Sequence, residues 1–396
     1  MNRSVIVDPL PRQGNSGVRV CVVGLGYVGL PTACLLASRG YRVHGVDIEP
    51  GAVERVRQGG PVAEPGLSEI LAAAIGGTLL SASCEPVSSH VFLICVPTPL
   101  GPENTPDVSQ VFAAAEAITP HLTEGALVCV ESTCPIGTTE AIAARLPSGV
   151  HVAYCPERVL PGRILDELVG NDRVVGGVSS VATERAVEFY RGFVSGHVVG
   201  TNARTAEAVK LAENSYRDVN IAFANELSMI AERVGVDVRA VIRLANRHPR
   251  VQILDPGPGV GGHCVAVDPW FLVSAAPDLA GLTRMAREVN LTKAAWVVDR
   301  VREHLRPDAV VACLGLAYKP DVDDVRESPA RAVVDALSAY AVVLAVDPHL
   351  PGTVPLRDAL RRADIVVGLV AHTAFRGIDR GQLLGKVVLD FAGVLT

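Results

Sequence analysis

The chain has 396 residues, a net charge of −6, 49% hydrophobic residues and 20% charged ones. That length exceeds one ordinary core and predicts two or three domains, and the composition excludes a fibre or a disordered chain. With no basic block it predicts no nucleic-acid or anionic-membrane partner, so an anionic ligand has to be held by local arginines, lysines and backbone amides.

Residues 1–17 lack an apolar core segment and read as a disordered tail, not a signal peptide. No apolar run approaches the ~20 residues needed to span a bilayer. From Val18 to about Gly200 short apolar runs alternate with helical stretches. Strands are expected at 18–23, 41–46, 91–96, 126–130, 151–154 and 174–175, with helices at 28–38, 107–118 and 138–145 between them. Buried β-branched strands separated by helices describe an α/β fold, a doubly wound parallel sheet of Rossmann type over residues 18–200.

After Thr201 the period changes. Val209, Ala212, Tyr216, Val219, Phe223, Leu227 and Ile230 recur at spacings of three and four, which predicts a long amphipathic helix with an apolar seam. A second helix is expected over 282–305. The region 201–305 is therefore a central helical domain, and its seam calls either for a second subunit, as in a homodimer, or for packing within its own domain. From about Asp308 alternation returns at 310–316, 341–346, 365–369 and 387–389, a second, smaller Rossmann-like unit over 306–396. Its first strand leads into Gly315 and Leu316 without a glycine cluster, so it is not expected to hold a dinucleotide by that device.

The nine cysteines are odd in number, scattered, and contain no Cys-x-x-Cys pair. Cys21, Cys95, Cys129 and Cys313 sit in apolar runs, as small core residues do. The pattern predicts a reducing, cytoplasmic compartment.

Gly24-Leu-Gly26-Tyr27-Val28-Gly29 follows an apolar strand and opens a helix. The first glycine permits the turn, the second admits a pyrophosphate, and the third allows close helix–strand packing. The helix N-terminus offers amides to phosphate. Asp47 ends the next strand 21 positions after Gly26, where a carboxylate accepts the ribose hydroxyls and repels a 2′-phosphate. No arginine follows until Arg55, so the expected cofactor is NAD and not NADP.

Cys264 is flanked by glycine, proline, histidine and aspartate, which do not build an apolar core. The stretch 265–273 reads as helical, placing the thiol near a helix N-terminus and marking it as a nucleophile. Lys210 and Asn214 lie four apart on the long helix with Arg217 one turn on, a stripe that a solvated face also explains. Two loops, Glu131-Ser-Thr133 and Cys155-Pro-Glu157-Arg158-Val159, follow strands, where α/β sheets place ligands. No metal site is legible: His263–Cys264 lacks ligand spacing, and Asp321-Val-Asp-Asp324 lacks the glycine and distal glutamate of a calcium loop.

Together, the glycine motif, Val96-Pro-Thr98-Pro, Glu131-Ser-Thr-x-Pro-x-Gly, Cys155-Pro-Glu-Arg-Val-Leu-Pro-Gly, Pro258-Gly-x-Gly-Gly-His-Cys264 and Lys319-Pro-Asp-x-x-Asp-x-Arg326-Glu-Ser resemble the UDP-glucose/GDP-mannose dehydrogenase family of nucleotide-sugar 6-dehydrogenases, in the family's order from Val18 to Thr396. The resemblance implies NAD-dependent, four-electron oxidation at carbon 6 through a thiohemiacetal and thioester on Cys264, with the C-terminal domain binding the UDP-sugar. It implies that Lys210 and Asn214 steady the oxyanion, that Asp268 assists water or proton transfer, and that Glu157 and Thr133 position water or act as base. Gly24, Gly26, Tyr27, Val28, Gly29, Asp47, Thr98, Thr133 and Arg326 match cofactor contacts. Glu157, Arg158, Val159, Lys210, Asn214, Arg217, His248, Arg250, Gly261, His263 and Lys319 match substrate contacts, Arg250 that of a neighbouring subunit. The stretches 213–226 and 246–254, with Pro161 and His263 where glucose-oxidising relatives carry a glutamate and a small residue, favour a UDP-N-acetylhexosamine. UDP-N-acetyl-D-mannosamine comes first, with UDP-N-acetylglucosamine or UDP-glucose as alternatives. A two-electron 3-hydroxyacid dehydrogenase would have no use for the Cys264 segment, and a non-catalytic NAD sensor would need none of the polar cluster.

Overall fold

The structure, a computed structural model, describes residues 17–395 except Ala63 and Pro161. The tail expected over residues 1–17 therefore lies outside the described residues but for Gly17. The chain divides into two units, Met1–Leu211 and Ala212–Thr396.

The first unit is an eight-stranded sheet of β1 (Arg19–Val23), β2 (Arg42–Val46), β3 (Leu80–Ser83), β4 (Val91–Ile94), β5 (Leu127–Val130), β6 (His151–Tyr154), β7 (Arg173–Gly177) and β8 (Val198–Asn202). Their order is β3-β2-β1-β4-β5-β6-β7-β8. Side chains alternate between two buried faces. Val20, Val22, Leu93 and Cys129 pack under helices on one side, and Cys21, Phe92, Ile94 and Val128 on the other. The chain winds outward from β1 in one direction and from β4 in the other, so the carboxyl ends of β1 and β4 frame the crevice where α/β sheets bind ligands.

One joint departs from the all-parallel expectation: β6 and β7 pair antiparallel, through Ala153 with Gly177 and Tyr154 with Gly176. The glycines answer to crowding there. A Cβ on Gly176 would meet the Asn202 carbonyl at 2.3 Å, and one on Gly177 would meet the Thr183 nitrogen at 2.3 Å. Strands β3 and β8 were also not expected.

The second unit carries the helices Val238–Ala245, Asp268–Ala275 and Gly281–Arg302 and a four-stranded parallel sheet. Its strands are β9 (Val310–Leu314), β10 (Val342–Val346), β11 (Ile365–Gly368) and β12 (Val387–Asp390), in the order β10-β9-β11-β12. Val311, Cys313 and Val367 form one face of its core; Ala312, Leu314 and Val366 form the other.

The long helix is Ala203–Val234, and the face it buries within the chain is not its apolar seam, against the expectation of packing within its own domain. None of the seven seam residues is buried, and Tyr216, Phe223 and Ile230 are 71%, 51% and 52% exposed. The buried face instead carries Glu207, Lys210, Asn214, Ser215, Asp218 and Asn225 between small residues such as Ala206 and Ala222. Burying polar groups is tolerated only when each is partnered. In the second unit Asp218 Oδ1 accepts from Arg287 at 2.6 Å and from the Asn290 amide at 2.8 Å. Asn225 bridges onward, donating to Asn290 Oδ1 and accepting the Gly257 N–H, both at 2.9 Å.

Burial raises the Asp218 carboxyl above its ordinary value, with Arg287 opposing the shift. Removing the cation in Arg287→Met is expected to cost about 3–5 kcal/mol of stability in urea unfolding near neutral pH, as for other broken buried pairs. A carboxyl whose native pKa is raised keeps its proton longer when folded, so the deficit is expected to shrink as pH falls and to grow as it rises. A deficit independent of pH would mean that Asp218 is not the group left stranded.

Candidate active site

The glycine turn sits where the expected motif put it. Gly24 leaves β1 at φ +94, its N–H bonded to the Val46 carbonyl at 2.8 Å. A Cβ on Gly29 would lie 1.8 Å from the Gly24 carbonyl oxygen, so the helix Gly29–Ser38 can start only from glycine. Gly26 faces open space, with no atom within 4 Å of a built Cβ. Beside it, Asp47 Oδ2 accepts the Leu25 N–H at 2.8 Å and Oδ1 the Glu49 N–H at 2.9 Å. Each carboxylate oxygen keeps a lone pair for a ribose hydroxyl. Exposed Gly26, an anchored Asp47 and the helix start next to them fit a dinucleotide. Tyr27 is exposed, and Val28 at the start of the helix, Thr98 in the segment after β4 and Thr133 in the segment after β5 are half-buried.

Lys210 and Asn214 are not a solvated stripe: they are 6% and 7% exposed, while Arg217 is exposed. Lys210 Nζ donates to the Glu157 carbonyl at 2.9 Å. The Glu157 carboxylate forms a buried ion pair with Arg173, and its other oxygen accepts the Arg158 N–H. Burial opposes the Arg173 charge, but Glu157, Cys155, Glu131 and Tyr190 together outweigh it and raise the pKa. Arg158 donates to the Asp172 carbonyl, and Val159 packs on the sheet's core.

Arg173 was not read from the sequence as a functional residue. A charge inside an otherwise apolar strand was the available signal. Glu131 was also missed: it lies beneath Thr133 and accepts from Tyr190 at 2.6 Å and from the Cys95 thiol at 3.4 Å. Burial raises its carboxyl pKa, opposed by Arg173 and reinforced by Glu157.

In the second unit Cys264 is exposed, whereas Cys21, Cys34, Cys129, Cys134, Cys155 and Cys313 are buried. Burial pushes the Cys34, Cys155 and Cys313 thiols up to about 12, as expected of inert core residues. The helix after Cys264 starts at Asp268, three residues later than expected, because Pro269 belongs to a first turn. Cys264 therefore occupies the preceding turn. Its carbonyl accepts the N–H groups of Val267 at 3.1 Å and Asp268 at 2.8 Å.

Asp268 is buried and its Oδ2 accepts the Asn214 amide at 2.6 Å. On the other side of the loop the Gly262 N–H donates to the Arg326 carbonyl at 3.1 Å. Cβ atoms on Gly261 and Gly262 would meet Tyr318 at 3.0 and 2.8 Å. Lys319 lies 5.6 Å from the Tyr318 ring centre, and Arg326 forks onto Asp324, its closest contact 2.6 Å. His263 is exposed, as are His248 and Arg250, which share a turn through an Arg250 N–H to His248 Nδ1 contact of 3.3 Å.

Comparisons with known proteins place this geometry. Profiles of the UDP-glucose/GDP-mannose dehydrogenase family match its NAD binding domain at residues 18–194, its central domain at 204–292 and its UDP binding domain at 312–396. The chain belongs to this family, and it is an NAD-dependent nucleotide-sugar dehydrogenase. Among its relatives is an NDP-N-acetyl-D-galactosaminuronic acid dehydrogenase of Ralstonia nicotianae, 49% identical, covering 95% of this chain and 96% of that protein. A UDP-N-acetyl-D-mannosamine dehydrogenase of Escherichia coli K12 is 45% identical over 95% of this chain and 98% of its own. The solved structure of a UDP-D-ManNAc dehydrogenase from Pyrococcus horikoshii superposes with a TM-score of 0.89 at 39% identity, covering 96% of each chain.

Adding one methyl at the glycine turn tests the cofactor reading. Gly29→Ala is expected to weaken NAD about tenfold or more by calorimetry, because the helix start must move away from the phosphates. Unchanged NAD affinity would place the dinucleotide elsewhere.

Proposed function

We propose that this enzyme oxidises the carbon-6 hydroxymethyl of a UDP-N-acetylhexosamine to the carboxylate, with UDP-N-acetyl-D-mannosamine as substrate. When bound, NAD supplies a hydride acceptor, and two are consumed for each sugar. The observation that carries the reading is an exposed cysteine in a glycine-built turn whose following helix opens with a buried, hydrogen-bonded aspartate.

In this reading the sugar alcohol loses a hydride and a proton to give the aldehyde. The Cys264 sulfur adds to the aldehyde carbon, forming a thiohemiacetal whose oxyanion Lys210 and Asn214 steady by charge and amide donation. The two lie four residues apart, on one face of one helix, about 6 Å along its axis. Loss of a second hydride leaves a thioester, and water cleaves the carbon–sulfur bond, releasing the uronate and the thiol. Asp268 assists the proton transfers, and Glu157, braced by Arg173, holds the loop whose carbonyl orients Lys210. Thr133 helps to place the water. Asp47 and the Gly24–Gly29 turn hold the cofactor with Tyr27, Val28, Thr98 and Arg326. Arg158, Val159, Arg217, His248, Arg250, Gly261, His263 and Lys319 line the sugar nucleotide.

The Ralstonia relative favours a second reading, the galacto configuration of the same N-acetylhexosamine class. Purified enzyme offered UDP-N-acetyl-D-mannosamine, UDP-N-acetylgalactosamine, UDP-N-acetylglucosamine and UDP-glucose is expected to form two NADH per sugar, fastest with the first. One NADH per sugar, with a lasting aldehyde, would refute the thioester route. Cys264→Ala is expected to lower turnover by about 10³-fold or more while NAD affinity persists.

We also infer a cytoplasmic homodimer joined through the exposed stripe Tyr216, Phe223 and Ile230 of the long helix, since three large apolar side chains two turns apart suit a partner helix. Arg250 then serves the partner's substrate. Phe223→Glu is expected to shift sedimentation towards the monomer; an unchanged mass would exclude this surface. Among the described residues no helix is long and apolar enough to cross a membrane.

A further inference from the structure

Three side chains far apart in sequence meet at the carboxyl edge of the second unit's sheet. Asp321 comes from the loop after β9, His349 from the turn after β10 and His372 from the segment after β11. One ligand atom from each lies within 4.8 Å of the other two. His349 Nε2 is 3.6 Å and His372 Nδ1 is 3.8 Å from Asp321 Oδ1. The strands wind outward from β9 towards β10 on one side and β11 on the other, so this is the unit's switch-point crevice.

The chemistry of the set goes beyond proximity. Two imidazoles and a carboxylate suit a borderline divalent cation such as Zn2+, and do not suit Mg2+ or Ca2+, which prefer oxygen. His372 is wholly buried, and its Nε2 meets the buried Asp347 Oδ2 at 3.0 Å. Nδ1 accepts the Asp321 N–H at 2.9 Å, which fixes the tautomer with the proton on Nε2 and the Nδ1 lone pair towards Asp321 and His349. A carboxylate holding the far nitrogen of an imidazole is the usual support behind a histidine ligand. Asp347 is itself fixed, its Oδ2 accepting the Leu316 N–H at 2.8 Å and its Oδ1 the His349 N–H at 2.9 Å.

We propose that Asp321, His349 and His372 form a three-ligand Zn2+ site, with water in a fourth position. Tetrahedral ligands about 2.0–2.1 Å from zinc lie roughly 3.4 Å from one another. The observed separations close with side-chain rotations of His349 and Asp321, both partly exposed, together with a shift of the Asp321 peptide off His372 Nδ1. The cation takes the Nδ1 lone pair in place of the Asp321 N–H, which turns to solvent. It ties together the ends of three strands, among them the loop that carries Lys319 and Arg326, and so acts as a brace on that loop. The test of the site does not depend on turnover.

The exposed thiols of Cys84 and Cys264 are competing zinc ligands. Calorimetric titration is therefore run on the full chain carrying Cys84→Ser and Cys264→Ser, with Co2+ absorption as a second readout of coordination geometry. One Zn2+ per chain is expected, with the visible bands of a four-coordinate Co2+ site. His349→Ala and Asp321→Asn, both at partly exposed positions, are each expected to weaken binding at least about tenfold. Absence of saturable binding in the thiol-free chain, or affinity unchanged by both substitutions, overturns the site. If zinc binds only while Cys264 is present, the ligand is the thiol and the proposal is wrong.

Discussion

The long helix Ala203–Val234 is held by a buried face that is polar, and much of the molecule is arranged to partner it. A buried donor or acceptor left without a partner costs about 1–3 kcal/mol, and an unpaired charge costs more. Glu207, Lys210, Asn214, Asp218 and Asn225 on this face therefore dictate what must stand opposite them, while the Ser215 hydroxyl stays without a hydrogen-bond partner. In the first unit, Glu207 accepts the N–H groups of Gly137 and Thr139 and the Thr139 hydroxyl, and Lys210 reaches the Glu157 carbonyl. In the second, Asn214 requires Asp268, Asp218 requires Arg287, and Asn225 requires both Asn290 and Gly257. An apolar face of the same length could slide by a turn at small cost. A polar face has one register, which places Lys210 and Asn214 reproducibly.

The two α/β units share one local device. Gly24 and Gly315 leave their first strands at φ +94 and +93, and each N–H bonds to the last residue of the next strand, Val46 or Val346, at 2.8 Å. Asp47 and Asp347 then accept the N–H of Leu25 and Leu316 on one oxygen and the N–H two residues onward on the other. The difference lies in what else reaches the carboxylate. Asp47 is half-buried beside open Gly26, whereas Asp347 is buried and takes further donors from Ala317 and His372. The same turn thus leaves a carboxylate half-buried beside open Gly26 in one unit and fixes a histidine in the other.

Much of this was legible in the sequence where the signal is local. Buried parallel strands are apolar runs, and the glycine turn is written in Gly24, Gly26 and Gly29 with Asp47 after the next strand, so β1, β2, β4, β5 and the nucleotide crevice follow directly. Strand β3 was missed because Leu80-Ser-Ala-Ser83 has no β-branched run, and β8 because its Val198-Val-Gly-Thr-Asn202 is short and ends in turn residues. Of the two readings of the long helix's seam, packing within its own domain is not what the chain does, since none of the seven residues is buried. Periodicity counts apolar residues, but it cannot see that Glu207, Asp218 and Asn225 find partners some 65 to 70 positions away. Pro269, by contrast, was a usable sign that the helix after Cys264 starts late. The roles of the individual site residues came from resemblance; Glu131 opens a quoted motif without an assigned role, and Arg173, whose partner Glu157 lies 16 positions away, belongs to none.

A reactive cysteine has two opposed requirements, access for a substrate and a fixed direction for the sulfur. Access argues for a loop with small residues, and loops of glycine are the least ordered backbone in a protein. Around Cys264 order is restored without covering the thiol. The glycines before it lie against Tyr318, and a methyl on Gly261 would also meet the Glu327 carbonyl at 2.4 Å. The carbonyl of Cys264 itself closes the first turn of the helix at Asp268, and Asp268 is fixed in turn by Asn214 on the long helix. The backbone is thereby pinned from both sides while the side chain stays exposed. Larger residues at 261 or 262 would shield the sulfur and push the loop away from Tyr318, losing access and order together. With glycines at these positions, exposure of the thiol and a fixed backbone are met at the same few atoms.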